Sequence, residues 1–300
     1  MDIGVLFEDS SMAKRLSGLE GIDAVYSADY PFDGETRGVR WYRLFPYVFR
    51  LGSEAEPDER ADGVMVRNID ELGYVLSSGY EGEIITDAGV YTMNSQSVRE
   101  LTEDGVTRTV YPLEANFHEL RERGYAKTSV LVVYGRAMLM ISANCVRKNA
   151  LGECSIRRNE RDSRAGDELC KLYNGKLRNS KTGNVKTARI DSAELCKLDK
   201  TSLILTDRKG VDFPVICDCR NCCNVIYNSV PTSLHRDMAR VRELSPCEVR
   251  LDITTESENE AAEIIKYYVN LIKGDMKEKD ISEPDILRHF THGHFKESAE

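Results

Sequence analysis

Residues 63–79 read GVMVRNIDELGYVLSSG, and residues 83–105 read EIITDAGVYTMNSQSVRELTEDG. Each stretch opens on a short apolar run, passes into a polar helical segment and stops at a glycine. The unit then returns. A strand over 106–111 leads to a helix over 115–123 that ends at Gly124, and 129–134 reads as the next strand. A glycine just past a helix supplies the left-handed residue that closes the last turn. Strand starts near 63, 83, 106 and 129 recur every ~20 residues, the length of one strand, one helix and two short connections. Such repeats imply parallel strands joined by right-handed crossovers.

The same grammar extends in both directions. A strand over 3–7, a helix over 12–19 and a strand over 24–26 are expected near the N-terminus. A closing unit of strand 247–254 and helix 260–272 is expected near the C-terminus. Five or six βα units in a row predict an α/β fold, a TIM-like parallel barrel, partial or modified, with a cysteine-rich metal-binding extension. Three regions follow. Residues 1–142 form the βα repeat, 143–246 the cysteine-rich region with a basic insertion at 155–200, and 247–300 the closing unit and tail. Inside the second region, 202–206 and 213–216 flank the turn signal Asp207-Arg208-Lys209-Gly210 and predict a hairpin.

No apolar run approaches the ~20 residues a bilayer span needs, and no membrane partner is expected. The opening MDIGVLFEDSS has neither a basic start nor a long apolar stretch, so no secretory signal is expected and the protein is read as soluble and cytoplasmic. The net charge of −9 argues against a general nucleic-acid binder. Residues 155–190 run the other way, with ten Lys/Arg against four Asp/Glu. That segment reads first as a solvated insertion and second as a surface for RNA or substrate.

In a reducing compartment clustered cysteines bind metal or react more often than they form disulfides. None of the nine precedes Cys145, and four fall between Cys217 and Cys223. Cys219-x-x-Cys222 can aim two thiolates at one ion from a tight turn, and Cys145 with Cys154 offers a second pair. Four thiolates suit zinc and iron–sulfur clusters alike. Cys217 and Cys223 are substitutes within the cluster. Cys170, Cys196 and Cys247 are read as non-ligands, and ordinary burial remains the plain alternative for Cys145 and Cys154.

The sequence holds no H-E-x-x-H, G-x-S-x-G, P-loop or G-x-G-x-x-G pattern. His118 sits on an expected helix. His292-Gly293-His294 lies in a polar tail, where disorder concentrates. Barrel sites assemble at strand C-termini, which singles out Asp87 and Asn94 after one strand, Glu114 after the next and Arg136 after the fourth. Glu114 could as easily serve a helix N-terminus.

Three stretches resemble signatures of the collagenase-like peptidases, the unassigned peptidase family numbered thirty-two. They are residues 134–145, YGRAMLMISANC; residues 206–215, TDRKGVDFPV; and residues 219–231, CRNCCNVIYNSVP, where members often carry Tyr at position 223. The closing Thr291-His292-Gly293-His294-Phe295 is similar to the family's final motif. The resemblance runs from about residue 60 onward, and the family's Gly-rich opening strand is not matched before it. It implies a TIM-like barrel and a 4Fe-4S cluster on Cys145, Cys154, Cys219 and Cys222, at the barrel rim. Glu114, Asn94 and Arg136 would line the pocket as catalytic residues. It implies hydroxylation or other modification of an RNA base, in tRNA or rRNA, or of a small aromatic substrate. The alternatives are a metal-linked peptidase and a non-enzymatic module stabilised by zinc.

Overall fold

A computed structural model describes residues 1–33, 38–50, 55–144, 203–218, 221, 223–274 and 282–296. Strands β1 (Asp2–Phe7), β2 (Ala24–Ser27), β3 (Arg40–Leu44), β4 (Gly63–Val66), β5 (Glu83–Thr86), β6 (Arg108–Val110) and β7 (Ser129–Gly135) pair side by side in chain order. The last barrel strand, β13 (Glu248–Ile253), pairs in parallel with both β7 and β1 and closes the ring. All eight neighbouring pairs are parallel. The barrel is therefore closed rather than partial.

Among the described residues six helices surround it: α1 (Ser10–Leu16), α2 (Ile69–Ser77), α3 (Ser95–Glu103), α4 (Phe117–Arg123), α5 (Met238–Leu244) and α6 (Glu258–Lys273). Local chemistry explains their limits. Asn68, Asn94, Asn116 and Ser257 each accept a backbone N–H of the turn that follows, satisfying donors a helix start leaves open. Gly79, Gly105 and Gly124 have positive φ where the repeat predicted helix stops. Along α6, Ala261, Ile264, Ile265, Tyr268 and Leu271 recur at helical spacing and are all buried.

Strand alternation divides the core in two. Ile3, Val5 and Phe7 of β1 and Val249, Leu251 and Ile253 of β13 pack outward in the cluster shared with the helices. Leu6, Tyr26, Tyr42, Met65, Ile85, Val110 and Val132 fill the barrel interior. Inward positions of β13 must therefore be Glu248, Arg250 and Asp252. At the N-terminal end of the interior, Tyr26 and Arg108 donate to Glu248, Tyr42 and Arg108 donate to Glu83, and Arg40 pairs with Asp2 at 2.6 Å. Gly4 has no room for a side chain there. A Cβ would stand 2.3 Å from Glu248 Oε1.

Two features depart from expectation. β3 was not foreseen, and among the described residues no helix follows β2 or β3. The tail is packed rather than loose. Leu287 and Phe295 are buried, Thr291 bridges Thr232 of the short strand β12 (Thr232–Ser233), and His292 Nδ1 lies 2.6 Å from Asp237.

Contacts divide the chain into two units. The first comprises 1–138 and 227–300, and the second 139–226. The second holds a four-stranded sheet in the order β8 (Met138–Ser142), β11 (Cys223–Tyr227), β10 (Asp212–Asp218), β9 (Leu203–Thr206). β9 and β10 form the expected antiparallel hairpin, with Asp207 closing its turn on the N–H groups of Lys209 and Val211. Among the described residues no helix is long and apolar enough to cross a membrane.

Candidate active site at the barrel mouth

Five charged side chains meet at the C-terminal end of the barrel. Glu8 follows β1, Arg67 follows β4, Asp87 follows β5, and Arg250 and Asp252 turn inward from β13. Arg250 is the hub. Its Nε donates to Asp252 Oδ1 at 2.6 Å, and its Nη2 reaches Asp252 Oδ2 and Asp87 Oδ1, both at 2.9 Å. Its Nη1 donates to the thioether of Met65, at 3.2 Å, a weak acceptor. Arg67 holds Glu8 through both terminal nitrogens, while its Nε lies 3.5 Å from Asp87 Oδ2 without making a hydrogen bond. The Tyr47 ring lies 3.7 Å from the Arg67 guanidinium carbon, and its hydroxyl donates to Glu8 at 2.9 Å.

Burial makes these interactions consequential, since water screens little here. Arg67 and Arg250 are 6% and 1% exposed. For Asp87, desolvation alone would raise the carboxyl, but Arg250 and Arg67 outweigh it and hold the group below the usual range. For Asp252 desolvation wins over the Arg250 contact, and the nearby Asp87 charge pushes further, so this carboxyl sits above the usual range. One guanidinium thus separates two carboxyls displaced in opposite directions. Buried charged groups with displaced titration at strand ends are the kind that gather at functional sites.

A buried carboxyl stands behind this cluster. Glu71, in the first turn of α2, accepts the Arg67 backbone N–H on Oε2 at 2.9 Å. Its Oε1 is buried without a hydrogen-bond partner. Desolvation raises its pKa to about 7, against the lowering contacts of Arg67 and Asn68.

The residues singled out by sequence disperse. Asp87 enters the cluster. Asn94 caps α3, accepting Ser97 N–H at 2.9 Å within a capping box. Glu114 lies in the turn after β6, and the cap of α4 is Asn116, whose Oδ1 accepts from His118 and Glu119. Arg136 donates to the carbonyls of Asn228 and Ser229 and lies 4.0 Å from Glu256. Sequence reading passed over Glu8, Arg67, Arg250 and Asp252. A signal existed in β13, where Glu248, Arg250 and Asp252 put a charge at every second position of a buried parallel strand. Such strands normally read as continuous apolar runs.

Cys145, Cys154, Cys219 and Cys222 lie outside the described residues, as do Cys170, Cys196 and the basic segment 155–190. What is described brackets one pair. β10 ends at Asp218 and β11 begins at Cys223, and these two residues are register partners. Asp218 also accepts from the backbone and side chain of Asn221. Cys247 donates its thiol to Ser129 O at 3.1 Å, and burial raises its pKa. Among the described residues no three His, Cys, Asp or Glu side chains gather closely enough to hold a metal. A separate open depression of about 540 Å³ is lined by Arg43, Glu56, Pro57, Asp58, Glu59 and Arg60, none of them a mouth residue. Comparison with protein-family models, curated proteins and solved structures finds no match.

Proposed function

We propose that this chain is a barrel enzyme of the general acid–base class, working at the C-terminal mouth. Asp87 acts as the base, Asp252 holds the Arg250 guanidinium in place through both of its oxygens, and Arg67 and Arg250 hold a developing negative charge on a substrate oxygen. The observation that carries this reading is the single buried Arg250 guanidinium held between Asp87 and Asp252 at the C-terminal ends of the barrel strands. Positioned acid–base groups contribute about 10²–10⁴-fold to rate. The test incubates wild-type protein with total RNA and a small-molecule extract and follows new products by mass spectrometry. Products should fall ~100-fold or more in Asp87→Asn and Asp252→Asn proteins that remain folded. Wild-type product levels in both variants would overturn the assignment.

A second element of the reading is a metal centre on Cys145, Cys154, Cys219 and Cys222. The register pair Asp218–Cys223 supports it, because only four residues, two of them cysteines, connect β10 to β11. Four thiolates are a donor set for iron–sulfur or zinc. The resemblance to collagenase-like peptidases favours a 4Fe-4S cluster and a nucleobase or small aromatic substrate. When bound, such a cluster supplies electron transfer. Anaerobic absorption and metal analysis test this. A brown, iron-containing protein that loses metal in each Cys→Ser variant of the four, but keeps it in Cys170→Ser and Cys196→Ser, is the expected result. Colourless zinc protein would turn the reading to a structural centre. Full metal content in Cys219→Ser and Cys222→Ser would remove the ligand assignment. Metal-dependent cleavage of gelatin would instead favour a peptidase.

A further inference from the structure

We propose that Glu71 is a proton-sensitive anchor of the mouth: its carboxylate grips the Arg67 backbone amide and thereby fixes the Arg67 side chain on Glu8 and Asp87, and protonation loosens that grip. The inference rests on the mouth being the working site. Its geometry is independent of any substrate.

Glu71 is 1% exposed, yet its Oε2 takes the Arg67 backbone N–H, its Oε1 makes no hydrogen bond, and the Asn68 side chain is the polar neighbour that helps it. A fully ionised carboxyl in that setting is poorly compensated. A neutral one accepts the Arg67 N–H more weakly, since charge-assisted hydrogen bonds are roughly twice as strong. The charged neighbours that bear on it are Arg67, which favours ionisation, and Asp70 beside it on α2, which opposes it. Around Arg67 itself stand Glu8 from β1, Asp87 from β5 and the hydroxyls of Tyr47 and Tyr227. Desolvation of the Glu71 carboxyl brings its titration to about 7, so both forms are populated at neutral pH.

The turn carrying Glu71 touches the mouth twice. Asn68 Oδ1 accepts the Glu71 N–H at 2.9 Å, while Asn68 Nδ2 donates to Tyr47 O at 3.3 Å. Tyr47 in turn lies against the Arg67 guanidinium and donates to Glu8. A change at the start of α2 therefore reaches the ion pairs through the Arg67 backbone on one side and Tyr47 on the other. No covalent step is involved.

The experiment is an NMR titration of the labelled full-length protein from pH 5 to 9. It follows the Glu71 carboxyl carbon, the Arg67 amide and the Arg67 Nε–H. All three should move together with one midpoint near 7 in wild type. In Glu71→Gln the two Arg67 signals should lose that transition. A Glu71 carbon that does not titrate in this range would overturn the proposal without needing the variant. So would an Arg67 amide that titrates while its Nε–H stays still, because the anchor would then be only local. None of these readings requires turnover. Loss of activity in the aspartate variants and failure of the Glu71 titration are thus separate results.

Discussion

The two ends of the barrel interior carry the same charges and use them differently. At the N-terminal end Asp2, Glu83 and Glu248 face Arg40 and Arg108, and at the mouth Glu8, Asp87 and Asp252 face Arg67 and Arg250. Each set has three carboxyls and two guanidiniums. The N-terminal set opens to water, with the Asp2, Glu83 and Arg40 side chains 50%, 45% and 35% exposed. Its one buried carboxylate, Glu248, is served by both Tyr26 and Arg108. The mouth is buried and less fully hydrogen-bonded, with Arg67 Nε 3.5 Å from Asp87 but making no hydrogen bond and Arg250 Nη1 set against the Met65 sulfur. Water and tyrosine hydroxyls can satisfy a structural network cheaply. Buried charged networks with donors left short of partners are the kind that cluster at functional sites.

Breaking each hub should expose this difference. Arg250→Met leaves two buried carboxyls facing each other and should destabilise by about 3–5 kcal/mol, the usual result of removing one partner of a buried pair. Arg108→Met should lose less, because Glu83 reaches water and Tyr26 still serves Glu248. Urea unfolding of both variants at pH 7 measures the gap. Equal losses would mean that the two ends are one kind of network.

The carboxyl behind the mouth sharpens the comparison through pH. The Glu71 pKa is raised from 4.5 to about 7 on folding, so the folded state holds a proton that the unfolded state releases. Its contribution is fully present below pH 4.5 and is lost as pH rises through 7. The loss approaches ~3 kcal/mol at one pKa unit per 1.36 kcal/mol. Glu71→Gln should be insensitive to that window and more stable than wild type at pH 8. Parallel stability curves for the two proteins from pH 4 to 8 would show that Glu71 does not titrate there.

How much of this was legible follows the same division. The repeat from Gly63 to Tyr134 announced itself because its outward strand faces are apolar and its helices stop at glycine. Ser95–Glu103 was read to the residue. β3 was missed because Arg40-Trp41-Tyr42-Arg43-Leu44 puts Arg40 and Tyr42 into the polar N-terminal interior and, among the described residues, no helix follows it. The mouth was hidden for a related reason. Its charges are single residues between positions 8 and 252, brought together only when β13 closes on β1. Aspartate after β5 was visible, since strand ends are where barrel sites form. Arginine inside β13 ran against the expectation that buried strands are apolar, and beyond Asp252 on its own strand its partners Asp87 and Met65 arrive only with the closed ring.

The smallest expected effect concerns a residue that sequence placed in the pocket. Asn94 Oδ1 accepts the Ser97 N–H, and the Ser97 hydroxyl returns the contact to Asn94. Asn94→Ala should therefore cost about 1 kcal/mol, as lost helix caps do. Asn94→Asp should restore most of that stability, because aspartate caps equally well and its charge suits a helix N-terminus. A catalytic amide would behave in the opposite way, since aspartate removes its N–H donors while keeping the cap. Thermal melts and product formation on the same pair of variants separate the two roles. If Asn94→Asp is stable but inactive, Asn94 belongs with Asp87 at the working end of the barrel. If it is stable and active, the polar residues after β5 divide into one that meets Arg250 and one that starts a helix.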